Sequence, residues 1–333
     1  MSTISATQLT MADYSRRQTS DGMIAPITEI LAKQLPILDD VPWLDCNQGH
    51  ENLTVLRTGL PTAYPVSPNG GYQLSKSQTA PIVDATTRIG SCMEVDCLVA
   101  DAYADKASFL ATEASAFLES LNQEWARQLF YGNSGTVKTE INGLATRFSS
   151  LTGNQAMNII DAGGTGSDNN SVWFSVWGPS TLHGIVPKGT PMGLQHTRDQ
   201  GGQPVTVTLA NGNRQQVYRD FFRWDCGIAL RDWRSVVRIC NVDTSNLVAE
   251  SSAADLYKLM IKAYHRIRPI LGMGRPAIYM TRTAMEMLDI QSRNSQSYTL
   301  DQTTVEGKLV TSFRGIPIRV ADSLSESEPR VVA

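Results

Sequence analysis

At 333 residues the chain can bury one large core or two modest ones, so its length excludes a peptide-scale module. Lys and Arg number 29 against 32 Asp and Glu, a formal net charge of −3 that excludes a strongly basic nucleic-acid coat and a polyacidic tail alike. Any contact with DNA must be local. Hydrophobic residues make up 41% and charged residues only 18%, leaving much of the polar surface to Ser, Thr, Asn and Gln, which suits surfaces that end against other protein.

In chain order, residues 1–47 begin Ser/Thr-rich and continue with the apolar-periodic Ile24, Ile27, Ile30, Leu31, Leu35 and Leu38, interrupted by Pro26 and Pro36. This predicts an arm with short helices. Arg16 and Arg17 are followed by no apolar run, so the segment does not read as a signal peptide. From Leu53 to Arg88 four prolines exclude a long helix, and Asn69-Gly70-Gly71 marks a sharp reversal, so the pattern predicts a long hairpin-like excursion. Its flanks are poor in large apolar residues, and an isolated two-stranded ribbon is marginal in water.

Between Leu98 and Tyr131 apolar residues at Tyr103, Ala107, Leu110, Ala114, Phe117, Leu118, Leu121, Trp125 and Leu129 step by three and four, with no Gly or Pro. One helix of roughly 30 residues and about 45–50 Å follows, stopped by Gly132-Asn133 and long enough to act as a spine. Ser171 to Trp177 predicts a strand covered on both faces and ended by Gly178-Pro179. Val205, Val207 and Leu209 predict a hairpin through Asn211-Gly212 that returns at Val217. Ser252 and Asp255 have the spacing of a capping box before a helix ended by Pro269. A strand at Ala277–Met280, a short helix at Thr283–Ile290 and a strand pair over 308–321 turned at Arg314-Gly315 complete an α+β layout without βαβ repetition.

No reacting constellation emerges. Cys46, Cys92, Cys97, Cys226 and Cys240 form no CxxC pair and read as reduced, mostly buried thiols. Gly163-Gly164-Thr165-Gly166 lacks the Lys-Ser/Thr of a phosphate loop, and Gly272-Met273-Gly274 reads as a loop. Ser180 and His183 are close, but the Gly-x-Ser-x-Gly elbow is absent and a turn or cap suits them better. The four histidines are scattered, so no metal site is expected. Asp39-Asp40 and the Glu326 and Glu328 cluster read as solvated termini. Lys258, Lys262 and Arg266 share one helix face, either solvated or opposite an acidic neighbour or a phosphate backbone. The longest uncharged stretch, 169–187, is too broken for a bilayer span, so a soluble cytosolic protein is expected.

What remains is mechanical. Ordering about 30 residues of arm and excursion costs on the order of 30–60 kcal/mol in backbone entropy, which at about 25 cal/mol per Å² requires roughly 1,200–2,400 Å² of apolar burial. Only another surface can supply it, unless these parts stay disordered.

The stretches RTGLPT at 57–62, SKS at 75–77, LFYGN at 129–133 and IIDAGGTGSDN at 159–169 are similar to those of one family. So are His183-Gly184-Ile185, Pro187-Lys188-Gly189, Arg231-Asp232-Trp233-Arg234 and Phe313-Arg314-Gly315-Ile316-Pro317. With the order of arm, excursion, spine and α+β remainder, the chain resembles the HK-type major capsid proteins of tailed double-stranded-DNA phages, short-tailed ones especially, up to about residue 322. The resemblance implies an N-terminal arm at 1–49, an extended loop at 50–91, the spine helix and the start of a peripheral domain at 92–145, and the remaining peripheral strands with an axial domain at 146–333.

It further implies self-assembly into hexamers and pentamers of an icosahedral head, in the virion and formed in the host cytoplasm. Partners would be many copies of itself, with a cement protein, a portal and weakly held DNA. The arm begins almost at Met1, so a scaffold would be a separate protein. Arg57, Leu60, Tyr64, Tyr72 and Lys76 of the excursion and Ile27 and Leu31 of the arm are the candidate contacts between subunits. No catalytic residue, cofactor or metal is implied, and the Lys and Asn cross-link of some members finds no matching positions. A nanocompartment shell of the same fold, or an acyl hydrolase using Ser180 and His183, are the alternatives.

Overall fold

A computed structural model describes residues 33, 35–103, 105–209, 212–250, 253–294, 301–305 and 308–332. A short helix α1 (Ile37–Asp40) and strand β1 (Trp43–Asp45) lead into β2 (Glu51–Gly59) and the 19-residue β3 (Gln78–Asp96). Then come α2 (Cys97–Asp101), the long α3 (Lys106–Tyr131) and the single turn α4 (Leu144–Arg147). Strands β4 (Ile159–Asp161), β5 (Asn169–Trp177), β6 (Leu182–Val186), β7 (Gln195–Arg198), β8 (Val205–Thr208), β9 (Arg214–Leu230) and β10 (Val236–Asp243) follow. The last part carries α5 (Thr244–Val248), α6 (Leu256–Ile267), β11 (Arg275–Met280), α7 (Arg282–Asn294), β12 (Asp301–Val305), β13 (Lys308–Phe313) and β14 (Ile316–Val320). The layout is α+β.

The strands run β12-β13-β14-β11-β5-β6-β9-β3-β2, with β10 beside β5 and both β7 and β8 beside β9. All nine residues of β5 are buried, and its alternation divides two cores. Trp173 and Trp177 face the core under α3, whereas Val172, Phe174 and Val176 face a second core with α6, α7 and β11. The hairpin of β8 and β9 forms as expected, with Gly212 in the left-handed region; Asn211 lies outside the described residues. Cys46, Cys97, Cys226 and Cys240 are buried and Cys92 is exposed, all five as free thiols.

Several expectations need correction. The spine is not one helix of about 30 residues. Asp105, in extended conformation, accepts a hydrogen bond from the Ser108 amide and starts a new helix, while Tyr103 turns inward to stack on Phe109 at 4.1 Å. The spine is therefore α3, 26 residues and about 39 Å. Asp255 caps α6 itself through the Lys258 amide at 2.9 Å, rather than answering Ser252, which lies outside the described residues. Gly272 and Met273 belong to a 3-10 segment, Arg268–Met273, rather than to a loop.

The carboxylate clusters are not merely solvated. Asp40 accepts from the Tyr279 hydroxyl at 2.6 Å and from Arg319 at 2.9 Å, and its pKa is raised by burial against the lowering effect of those partners. The stretch behind it, expected to belong to the arm, lies on the body: Ile37 is buried, and Trp43 packs 5.3 Å from Trp125 and 5.5 Å from Trp224.

Glu328 is only 3% exposed and meets Arg238, 4% exposed, at 2.7 Å. Arg238 also donates to the Phe148 carbonyl at 2.8 Å and to Ser171 at 3.1 Å, and it lies over the Trp173 ring. The Tyr131 hydroxyl donates to the other Glu328 oxygen at 2.6 Å. Three residues further on, the Val331 amide donates to Asn241, whose side-chain amide returns a bond to the Val331 carbonyl. The C-terminal segment is thus stitched into the junction of the two cores.

Removing one partner leaves a buried charge without compensation. Glu328→Ala should lower the unfolding free energy of the unassembled subunit by about 3–5 kcal/mol in urea titrations, whereas Glu328→Leu combined with Arg238→Met should recover most of that loss.

Candidate assembly surfaces

The excursion is a ribbon of β2 and β3, paired antiparallel from Glu51 with Ala85 to Gly59 with Gln78. Its reversal is at Asn69, which adopts a positive φ, and the Gly70 amide closes the turn on the Ser67 carbonyl at 2.9 Å. Between strands and turn, the Gln73 amide donates to the Tyr64 hydroxyl and Ser75 to the Thr62 carbonyl.

One ribbon face is bound and the other is free. On the bound face, the buried Asp84 pairs with Arg147 at 2.7 Å and accepts from the Leu230 amide. On the free face, Val55 and Val83 are exposed beside Pro81. At the tip Leu60 is 78%, Tyr72 86% and Leu74 101% exposed. Burying one such side chain is worth about 1.5–3 kcal/mol, so the tip is apolar surface awaiting cover. Arg57 and Lys76 are exposed and Tyr64 is half-buried. Ile27 and Leu31 lie outside the described residues.

Sequence reasoning passed over Val55, Val83 and Leu74. For Val55 and Val83 the signal was available: LTVL at 53–56 and PIV at 81–83 carry apolar residues on both faces of a strand, the pattern of a sheet covered twice.

The basic helix face is smaller than expected. Lys258 and Lys262 are exposed on α6, but Arg266 turns back to donate to the Ile159 carbonyl at 2.7 Å, and burial lowers its pKa. Ser180 and His183 are not brought together. Ser180 is exposed in the turn after β5, whereas His183 lies within β6, fully buried opposite Ala229, in a strand rather than a turn or cap. The glycine loop at 163–166 packs against its own chain at Gly164, where a Cβ would meet the Asn241 carbonyl at 2.5 Å. Among the described residues no helix is long and apolar enough to cross a membrane.

The family model for major capsid protein GP7 matches residues 19–332. The chain belongs to that family. A chain of the cryo-EM structure of bacteriophage epsilon15 is 32% identical, with each chain covered over 100% of its length and a TM-score of 0.80. The bacteriophage JBD30 capsid, at 10% identity and a TM-score of 0.49 over 95% of this chain and 99% of that one, is a remote likeness. The SrpI encapsulin of Synechococcus elongatus is another, at 9% and 0.45 over 71% of this chain and 96% of that one. Among curated protein sequences none matches. The fold is the HK-type capsid fold, and this major capsid protein resides in the virion shell, which is built from many copies of it.

The buried His183 gives this capsid protein an acid-sensitive point. Neither ring nitrogen has a hydrogen-bond partner, and burial, helped by Arg231, pushes the pKa down to about 4. The folded state holds the neutral ring, so the stability it contributes is complete above pH 6.5 and declines as pH falls from 6.5 toward 4. His183→Leu should remove on the order of 2–3 kcal/mol of the acid-side loss, seen as a flatter denaturation midpoint between pH 7 and 4.

Proposed function

We propose that the ribbon and the leading arm clamp neighbouring copies, so that the shell is held by segments that no single subunit can cover. The observation that carries this is the largely exposed apolar tip of Leu60, Tyr72 and Leu74 on a ribbon whose root is fixed in the body. In this reading residues 1–49 act as the arm, at least in their leading part, and 50–91 as the extended loop. Residues 92–145 open the peripheral domain, and the rest supplies its remaining strands and an axial domain around the second core. Arg57, Leu60, Tyr64, Tyr72 and Lys76, with Ile27 and Leu31, contribute the contacts.

The assembly is an icosahedral head of hexamers and pentamers, formed in the host cytoplasm around double-stranded DNA. A separate scaffold, a portal and a cement protein complete it. The role is structural, with no catalytic step: the separation of the exposed Ser180 from the buried His183 supports this against an acyl hydrolase. DNA is held weakly and without sequence preference, in keeping with the formal charge of −3 and with Arg266 being engaged in its own subunit.

Deleting residues 58–76 should leave a folded, soluble subunit that forms no closed shells in negative-stain micrographs. Normal shells from that deletion would overturn the clamp. Tyr72→Ser with Leu74→Ser should weaken assembly in the same direction without lowering the melting temperature of the unassembled subunit.

A further inference from the structure

Where the ribbon leaves the body, a cleft of about 650 Å³ opens between Arg57 and Thr58 of β2 and the turns that carry Ser180, Arg231, Trp233 and Arg234. Arg234 is already engaged, holding Asp232 through two bonds at 3.0 and 2.8 Å. Arg57 and Arg231 make no ion pair among the described residues. Arg231 is half-buried, and its backbone is fixed by a bond from its amide to the Thr181 carbonyl at 2.8 Å. A guanidinium that gives up part of its hydration without an anion is costly, and two of them sharing one cleft repel each other.

The cleft also contains the Asp232 carboxylate, whose charge is answered by Arg234, so the two arginines without an ion pair remain to meet an oxyanion. Guanidinium forks bind carboxylates by paired hydrogen bonds, and the exposed hydroxyls of Thr58 and Ser180 can donate to the same oxygens. The half-buried Trp233 ring offers a wall that limits water. Ser180, which has no partner for catalysis, thereby finds a use.

We propose that this cleft is an anion site filled by a carboxylate side chain of a second copy of the chain, making the root of the ribbon an ion-paired contact between subunits. This rests on the clamp reading, because the copy that the ribbon crosses begins where the ribbon leaves its own body. Charge complementarity favours a subunit over DNA. Glu250, Glu286 and Glu326 are exposed on every copy and make no ion pair among the described residues. A duplex, by contrast, is gripped by an extended array of cations rather than by two arginines in a recess.

The test uses the full chain assembled into empty shells, with Arg57→Gln, Arg231→Gln and the double substitution. The double variant should need a roughly tenfold higher subunit concentration to assemble, and its assembly should respond less to added salt than that of the parent. The circular dichroism and melting of unassembled subunits should stay unchanged, and Arg57→Lys should restore part of the loss. An unchanged assembly threshold and salt response would overturn the inference. Should Arg231→Gln fail to fold, the exposed Arg57→Gln decides the matter by the same two readouts. If empty shells match the parent and only DNA-filled heads are weakened, the anion is packaged DNA and the inference is wrong. If the 58–76 deletion fails to assemble while the arginine variants assemble like the parent, the clamp stands and only the anion site falls.

Discussion

One strand, β3, belongs to two environments, and the architecture depends on that division. Its residues from Thr86 to Asp96 are hydrogen-bonded to β9 inside the main sheet, whereas from Gln78 to Ala85 its only paired neighbour among the described residues is β2. A free two-stranded ribbon would be marginal, because register and twist must be fixed by too few contacts. Here register is set in the buried half and carried outward along a continuous backbone. The ribbon is a cantilever ordered at its root by the body, and on the clamp reading part of the ordering cost of association is therefore met during folding.

The root is held from both sides. Met93 and Val95 of β3 face the core beneath α3, where Phe117 stacks on Phe222 at 5.8 Å and Trp125 on Trp224 at 5.4 Å. Asp84, at the base of the ribbon, ties it to Arg147 of α4. Beyond this core, β5 passes rigidity across the molecule, since its alternate residues fill the two cores and leave neither free to move alone. The Arg238 and Glu328 pair closes the seam between them, joining β10 to the C-terminal segment with both charges out of water. Such a pair fixes geometry more than it adds stability, which suits a subunit whose outlying parts must meet neighbours at set positions.

The regular parts of this fold were legible in the sequence because each obeys a local rule. Periodicity gave the spine, strict alternation gave β5, and the Asn211-Gly212 signal gave the hairpin of β8 and β9. The departures arise where tertiary contacts overrule local pattern. The spine is cut at Asp105 because a capping carboxylate there satisfies the amide of Ser108, while the apolar spacing runs on as if nothing had happened. Glu328 looked solvated because its partner Arg238 lies 90 residues away in sequence. Arg266 looked like part of a basic stripe because its acceptor is a backbone carbonyl, which no sequence pattern marks. The exposed ribbon surface was half visible. Tyr72 and Lys76 stood out in a proline-rich excursion, whereas Val55 and Val83, although flanked by apolar neighbours in sequence, were assigned to the uncovered face only by the strand pairing.

Charge is distributed in a way that separates building the subunit from building the shell. Many arginines are neutralised at home, as with Arg88 and Asp225 at 2.6 Å and Arg219 and Glu94 at 2.6 Å in the sheet, and Arg147 of α4 with Asp84 at 2.7 Å. In each of these pairs the carboxylate is buried or half-buried, and the pairing removes free charges of one sign from surfaces that must approach identical surfaces in a closed shell. A stripe of unpaired cations would bind the packaged polyanion and make assembly strongly dependent on salt. The ribbon tip instead exposes the apolar Leu60, Tyr72 and Leu74, and on the clamp reading this is the part of the outlying structure that gains most from being covered.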